Sequence, residues 1–309
     1  MALLFISHVD SPEDWKRAFG KFMPSLEVRA WPDIGRAEDI EVALVWRPPR
    51  ESLLNLPNLK LIASLGAGVD HLLRDTLLPK GVPVTRFVDD DLTAMMTEYA
   101  VLHVLACHRR LPEYLDLQRR LEWRELPQPL ARERRVGILG LGVLGGATAR
   151  KLAEFGFQVA GYSRSPRSVP GVETFHGADG LKRILARSEI LVCLLPLTPE
   201  TEAILNKETL GALPKGAALI NLGRGGHLVE PDLAALMESG HLSAAVLDVF
   251  RKEPLPLESP FWRHPRVIVT PHVASITNPE SGARKVVANL ERVRKGLPPQ
   301  DQVDPSVGY

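Results

Sequence analysis

The stretch VGILGLGVLGGATARKLAEFG, residues 136–156, confines the fold of this chain more than any other part of it. Residues 136–139 form a short apolar run that reads as a strand. Gly140, Gly142 and Gly145 then complete a G-x-G-x-x-G, and Ala and Leu follow at helical spacing. Each glycine has its own physical reason. Gly140 permits a tight turn, Gly142 lets the backbone approach a pyrophosphate, and Gly145 lets helix and strand pack closely. The opening helix turn, Val143 and Leu144, offers free N–H groups and a partial positive charge to an anion. The motif alone also suits an ordinary tight turn. A strand before it and a helix after it favour a dinucleotide site.

The rest of the chain has the same rhythm. Apolar, β-branched runs at 3–6, 42–46, 59–65, 82–85, 136–139, 158–162, 190–194, 218–221, 244–248 and 267–270 alternate with amphipathic stretches. In DSPEDWKRAF, Asp10 or Ser11 caps a helix with Pro12 in its first turn. Such alternation predicts α/β architecture, with parallel sheets covered by helices on both faces. A long helix is expected from Thr93 to about Leu121, followed by the polar, proline-containing 122–135; another helix is expected over 277–295. The strands outnumber those of one doubly wound sheet. Two doubly wound parallel-sheet domains are therefore expected, with the long helix connecting them.

Composition excludes several alternatives. Of 309 residues 45% are hydrophobic, ample for buried cores. Lys and Arg number 38 against 37 Asp and Glu, so a nucleic-acid-coating surface is not expected. No apolar run is long enough to span a bilayer, and the first residues read as a strand, interrupted by His8 and Asp10, not as a signal peptide. Cys107 and Cys193 lie in apolar runs and form neither a metal cluster nor a disulfide framework. The expectation is a soluble, cytoplasmic protein without a metal.

At the end of the second strand of the glycine-turn unit, where an acid commonly grips a ribose, stands YSRSPR, residues 162–167. Ser163 occupies the ribose-facing place, followed by Arg164 and Arg167. A carboxylate there accepts from ribose hydroxyls and repels a 2′-phosphate. Serine with guanidinium does the opposite. The expectation is NADP(H) in preference to NAD(H), the alternative being that both arginines lie in a solvated loop. Downstream, Arg224 follows the strand at 218–221, Asp248 ends that at 244–248 with Glu253 five residues on, and His272 follows that at 267–270. In open α/β sheets ligands bind beyond the carboxyl ends of strands. One cation, one acid and one histidine are thus directed to one edge.

GILGLGVLG, CLLPLTPET, LINLGRGGHLVE, AAVLDVFRKEPLP, SPFW and VTPHVAS, in this order and spacing, resemble the D-isomer-specific 2-hydroxyacid dehydrogenases across nearly the whole chain. LVWRPP and the closing QVDPSVGY are most similar to the branch that reduces glyoxylate and hydroxypyruvate. The resemblance implies a Rossmann-type coenzyme domain over 101–274. It also implies a flavodoxin-like, discontinuous substrate domain from 1–100 and 275–309, with a cleft between the two that closes by a hinge. It implies that Arg224 holds a substrate carboxylate and polarises the carbonyl. His272 is the implied general acid, and Glu253 hydrogen-bonds its other nitrogen. Leu195, Pro196, Asn221, Leu222 and Gly223 join the glycine turn in holding the cofactor, and Asp248 contacts the nicotinamide amide. The Ala67–Gly68 backbone meets the substrate, and Trp46 and Arg47 either line its pocket or are ordinary loop residues. The implied partners are a small anionic 2-oxoacid or 2-hydroxyacid and a second copy of the chain. An NADP-sensing interaction module and a short phosphoglycerate dehydrogenase are the alternative readings. The presence of Arg224, Glu253 and His272 together favours an enzyme over the former, and the chain length has no room for the regulatory domain of the longer forms of the latter.

Overall fold

In the computed structural model, which describes residues 1–304, two separate parallel sheets organise the chain. The last five residues of QVDPSVGY lie outside the described residues. One compact unit comprises Met1–Leu92 with the chain from Ile276 onward, and the other comprises Thr93–Ser275.

The first unit holds β1 (Ala2–Ile6), β2 (Glu27–Ala30), β3 (Ile40–Val45), β4 (Leu61–Ser64) and β5 (Val84–Thr85), all parallel in the order β2-β1-β3-β4-β5. This is the flavodoxin-like order, with its switch point between β1 and β3. Side chains alternate across the pleat. Leu3, Phe5, Val42 and Leu44 face α1 (Pro12–Phe22) and α9 (Pro279–Arg294), while Leu4, Ile6, Ala43 and Val45 face Leu53, Leu56 and the short α2 (Asp70–Leu73). Ser11 caps α1 by accepting the Asp14 N–H at 3.4 Å. Gly282 lets α9 close on α1, since a Cβ there would stand 2.4 Å from the Trp15 ring.

The second unit holds β6 (Arg135–Leu139), β7 (Gln158–Ser163), β8 (Glu173–His176), β9 (Ile190–Cys193), β10 (Ala217–Asn221), β11 (Leu242–Leu247) and β12 (Val267–Val269), in the order β12-β11-β10-β9-β6-β7-β8. All pairs are parallel, the Rossmann arrangement extended by one strand. Val136, Ile138, Val192 and Ile220 pack towards α3 (Asp90–His108) and α5 (Val143–Glu154). Leu139, Leu191, Leu219 and Leu247 pack on the other face with α6 (Gly177–Arg187), α7 (Lys207–Gly211) and α8 (Glu230–Glu238).

The long helix expected over 93–121 is two helices. α3 ends at His108 and α4 (Leu111–Arg119) begins after Arg110, whose φ of +57° is left-handed. Pro112, which lacks an N–H, sits in the first turn of α4, where no intrahelical donor is required. Two strands were not expected, β2 and β8. Each lies at the outer edge of its sheet, where one side meets solvent and no apolar run is demanded.

Candidate active site

The order of the second sheet reverses between β9 and β6, and all its strands point the same way. The glycine turn after β6, Ser163 at the end of β7, Leu195 and Pro196 after β9, Arg224 after β10, Asp248 after β11 and His272 after β12 therefore share one edge.

Gly140 has φ +102°, and a Cβ on it would stand 2.6 Å from the Leu194 carbonyl oxygen. Its N–H donates to the Tyr162 carbonyl at 2.9 Å. At Gly145 a Cβ would fall 1.8 Å from the Gly140 carbonyl oxygen, so any larger residue would push the helix off the strand. Gly142 differs. It is exposed, precedes α5 without a capping side chain, and a Cβ there would meet nothing within 4 Å. Its space is open on the side where the first-turn N–H groups of Val143, Leu144 and Gly145 have no intrahelical partner. That is the cradle a pyrophosphate fits.

Ser163 is buried, and its hydroxyl donates to the Ser165 carbonyl at 2.8 Å. A hydroxyl has one proton. The Ser163 proton is therefore engaged within its own loop, while its neighbours Arg164 and Arg167 are exposed. The field of Arg164 reaches the loop after β9. Glu200 is held below the usual carboxylate range chiefly by the Thr198 side chain, with a smaller contribution from Arg164.

Arg224 is fixed on both sides of its own peptide. Its N–H donates to His227 Nδ1 at 3.0 Å, its carbonyl accepts from Asn221 Nδ2 at 3.1 Å, and its guanidinium donates to the Gly223 carbonyl at 2.9 Å. Gly225 brings this loop against the one that carries Glu253, since a Cβ there would lie 1.8 Å from the Phe250 carbonyl carbon. Glu253 has both oxygens placed. Oε1 accepts the Phe250 N–H at 2.9 Å, and Oε2 lies 3.0 Å from His272 Nδ1. Beside a carboxylate, Nδ1 carries its hydrogen, which fixes the orientation of the ring.

His272 has φ +57°, a strained conformation for a side chain of this size. Asp248 supports it. The Asp248 carbonyl accepts the His272 N–H at 2.8 Å, its Oδ1 accepts from Thr270 Oγ1 at 2.7 Å and from the Val273 N–H at 2.9 Å, and its Oδ2 accepts the Ala274 N–H at 2.9 Å. Because Thr270 donates to the carboxylate, Tyr99 must donate to Thr270, with which its hydroxyl is paired. Burial pushes the Tyr99 hydroxyl up to about 12, which keeps it a donor. Asp248 is itself buried and retains one lone pair on Oδ2 for the expected contact with an amide, but three of its acceptor sites hold the histidine loop. Tyr99, Thr270 and His227 were not singled out from the sequence. His227 stands inside the quoted LINLGRGGHLVE, three residues after the arginine, and that spacing was its only signal.

In the first unit, β3 and β4 are neighbours, so the loops bearing Trp46–Arg47 and Ala67–Gly68 share an edge. The Trp46 ring lies over Gly66, where a Cβ would come within 2.8 Å of it, and meets the His71 ring edge-on at 4.8 Å. The Arg47 guanidinium stands 5.7 Å from the centre of the Trp46 ring, on a backbone with φ +47°. Among the described residues, no group of three or more His, Cys, Asp or Glu could hold a metal, and no helix is long and apolar enough to cross a membrane. Both cysteines are buried free thiols, and burial pushes each up to about 12.

Residues 101–274 match the family model of the D-isomer specific 2-hydroxyacid dehydrogenase NAD binding domain. The chain belongs to the D-isomer-specific 2-hydroxyacid dehydrogenase family. It is 44% identical, over 100% of both chains, to a glyoxylate/hydroxypyruvate reductase A of Serratia proteamaculans. It is similar, with a TM-score of 0.94 and 45% identity over 100% of this chain and 99% of the other, to a D-isomer specific 2-hydroxyacid dehydrogenase of Xanthobacter autotrophicus solved with NADPH and MES. An NADPH-dependent glyoxylate/hydroxypyruvate reductase of Sinorhizobium meliloti, solved with NADP and sulfate, superposes with a TM-score of 0.93 at 40% identity over 100% of each chain.

Proposed function

We propose that the protein is an NADP(H)-dependent reductase of small 2-oxoacids, glyoxylate and hydroxypyruvate among them. The observation that carries this reading is the Glu253–His272 pair at 3.0 Å, held at the same sheet edge as Arg224 and the open Gly142 cradle.

NADPH, when bound, supplies the hydride. The chain does the rest. The glycine turn and the α5 amino terminus hold the pyrophosphate, Arg164 and Arg167 hold the 2′-phosphate, and Leu195, Pro196, Asn221, Leu222 and Gly223 line the cofactor. Arg224 pairs with the substrate carboxylate through parallel N–H groups and polarises the adjoining carbonyl. His272 gives the proton from Nε2 to the carbonyl oxygen, its ring oriented by the Glu253 carboxylate at Nδ1. Trp46, Arg47 and the Ala67–Gly68 backbone are assigned to the substrate. Loss of NADPH absorbance on adding glyoxylate or hydroxypyruvate is the direct test. No turnover across a panel of small 2-oxoacids sinks the reading. A cytoplasmic setting suits the two free thiols.

The partner is a second copy of the chain. In the second unit Leu102 of α3, Leu111 and Leu115 of α4, and Leu121, Trp123 and Leu130 beyond it are all exposed, Trp123 completely. Exposed apolar side chains gathered in one stretch of the chain favour an association site there. Sedimentation of the wild-type protein as a dimer, and of Leu121→Glu/Trp123→Glu as a monomer, is expected. A wild-type monomer rules the dimer out, and a dimeric double variant places the interface elsewhere.

A further inference from the structure

His227 is fully buried, yet it lies three residues from an arginine assigned to the substrate. Its ring has a polar contact to each of two loops, beside a 3.8 Å contact of Nδ1 with the buried Cys193 Sγ. Nδ1 accepts the Arg224 N–H at 3.0 Å, and Nε2 lies 3.2 Å from the Pro196 carbonyl oxygen. A backbone N–H can only donate and a carbonyl can only accept, so the two contacts together select the neutral ring with its hydrogen on Nε2. The same ring packs against Gly223, where a Cβ would come within 3.0 Å of Cε1 and Nδ1. The Gly223 carbonyl in turn accepts from the Arg224 guanidinium at 2.9 Å. His227 therefore touches the peptide that carries Arg224 and the residue that anchors its side chain, while being tied to the loop after β9. Its own carbonyl accepts the Leu205 N–H at 2.8 Å, which fixes the ring's backbone as well.

We propose that His227 is the positioning residue for Arg224: its neutral imidazole, anchored on the Pro196 carbonyl, accepts the Arg224 N–H and sets where the guanidinium meets an oxoacid carboxylate. This rests on the assignment of Arg224 to the substrate carboxylate. A phenyl ring is planar like imidazole, somewhat larger, and has no acceptor. An asparagine places its carbonyl oxygen close to the position of Nδ1, so it keeps the contact to Arg224 and loses the reach to Pro196.

The test is the KM for glyoxylate, measured on the full-length protein saturated with NADPH, beside NADPH affinity by fluorescence and thermal melting. His227→Phe is expected to raise KM about tenfold or more, the effect of one buried hydrogen bond, with NADPH affinity changed less than about twofold. His227→Asn is expected to restore KM to within about threefold of wild type, even where its melting temperature is lower. In an Arg224→Ala background, His227→Phe should add nothing further to KM, because the group it positions is gone. If the phenylalanine variant does not fold, His227→Met takes its place in the same comparison. An asparagine variant as impaired as the phenylalanine one overturns the proposal. So does an undiminished effect in the Arg224→Ala background. If Arg224→Ala itself leaves glyoxylate KM unchanged, the failure lies in the assignment of Arg224 to the carboxylate.

Discussion

His272→Ala is expected to lower kcat for oxoacid reduction by about 10²–10⁴-fold, the range of a positioned general acid, with NADPH affinity kept within about twofold. The size follows from how much of the local structure serves this one ring. Glu253 Oε2 lies 3.0 Å from Nδ1, so the proton transfer proposed for this ring is assigned to Nε2. The left-handed backbone at φ +57° is unfavourable for histidine, by about 1–3 kcal/mol, and persists because the Asp248 carbonyl and carboxylate bind three successive N–H groups across it. Removing the imidazole leaves those backbone bonds in place, so the cofactor edge should keep its shape. Stopped-flow reduction under single turnover, beside NADPH titration, separates the two effects. Parallel loss of NADPH binding and turnover shows that His272 is structural.

The same residues show what was legible in advance. The glycine turn, the carboxyl-edge rule and the arginine–glutamate–histidine spacing depend on local pattern, and local pattern survives in a sequence. The parallel strands of both sheet interiors are buried on both faces, so they announce themselves as apolar runs. The edge strands β2 and β8 carry no such demand and stayed hidden. The break at Arg110 hid for another reason. Arginines favour helices, and the stop comes from a left-handed residue placed two positions before a proline in the first turn of the next helix. Support of the site was least legible. Tyr99 reaches Thr270 across 171 positions of sequence, and Asp248 looks from its place at a strand end like a ligand-facing acid. Only the fold shows its carboxylate turned to Thr270, Val273 and Ala274. Ser163 is a similar case, its hydroxyl turned within two residues to the Ser165 carbonyl.

That last contact sharpens the expectation for cofactor choice. With the Ser163 proton engaged, the proposed recognition of a 2′-phosphate rests on Arg164, supported by Arg167, and not on the serine. Arg164→Ala alone should weaken NADPH about tenfold or more, since a charged hydrogen-bonding pair contributes about 1.5–3 kcal/mol, and leave NADH within about twofold. Ser163→Asp added to it introduces an acceptor for ribose hydroxyls and repels the phosphate. It also removes the donor to Ser165, so the loop must find another closure. The double variant should shift the NADPH-to-NADH preference by about 10²–10³-fold, the joint effect of a lost cation and a like-charge clash. Neighbouring Glu200 lies within the field of Arg164 and provides an internal control. Glu200→Gln changes the charge near Arg164 without touching a bond assigned to the cofactor, so it should move NADPH affinity far less than Arg164→Ala does. Titration of both cofactors against each variant decides the matter. Equal changes for NADPH and NADH assign Arg164 to a solvated loop, whereas a selective loss of NADPH assigns it to the phosphate.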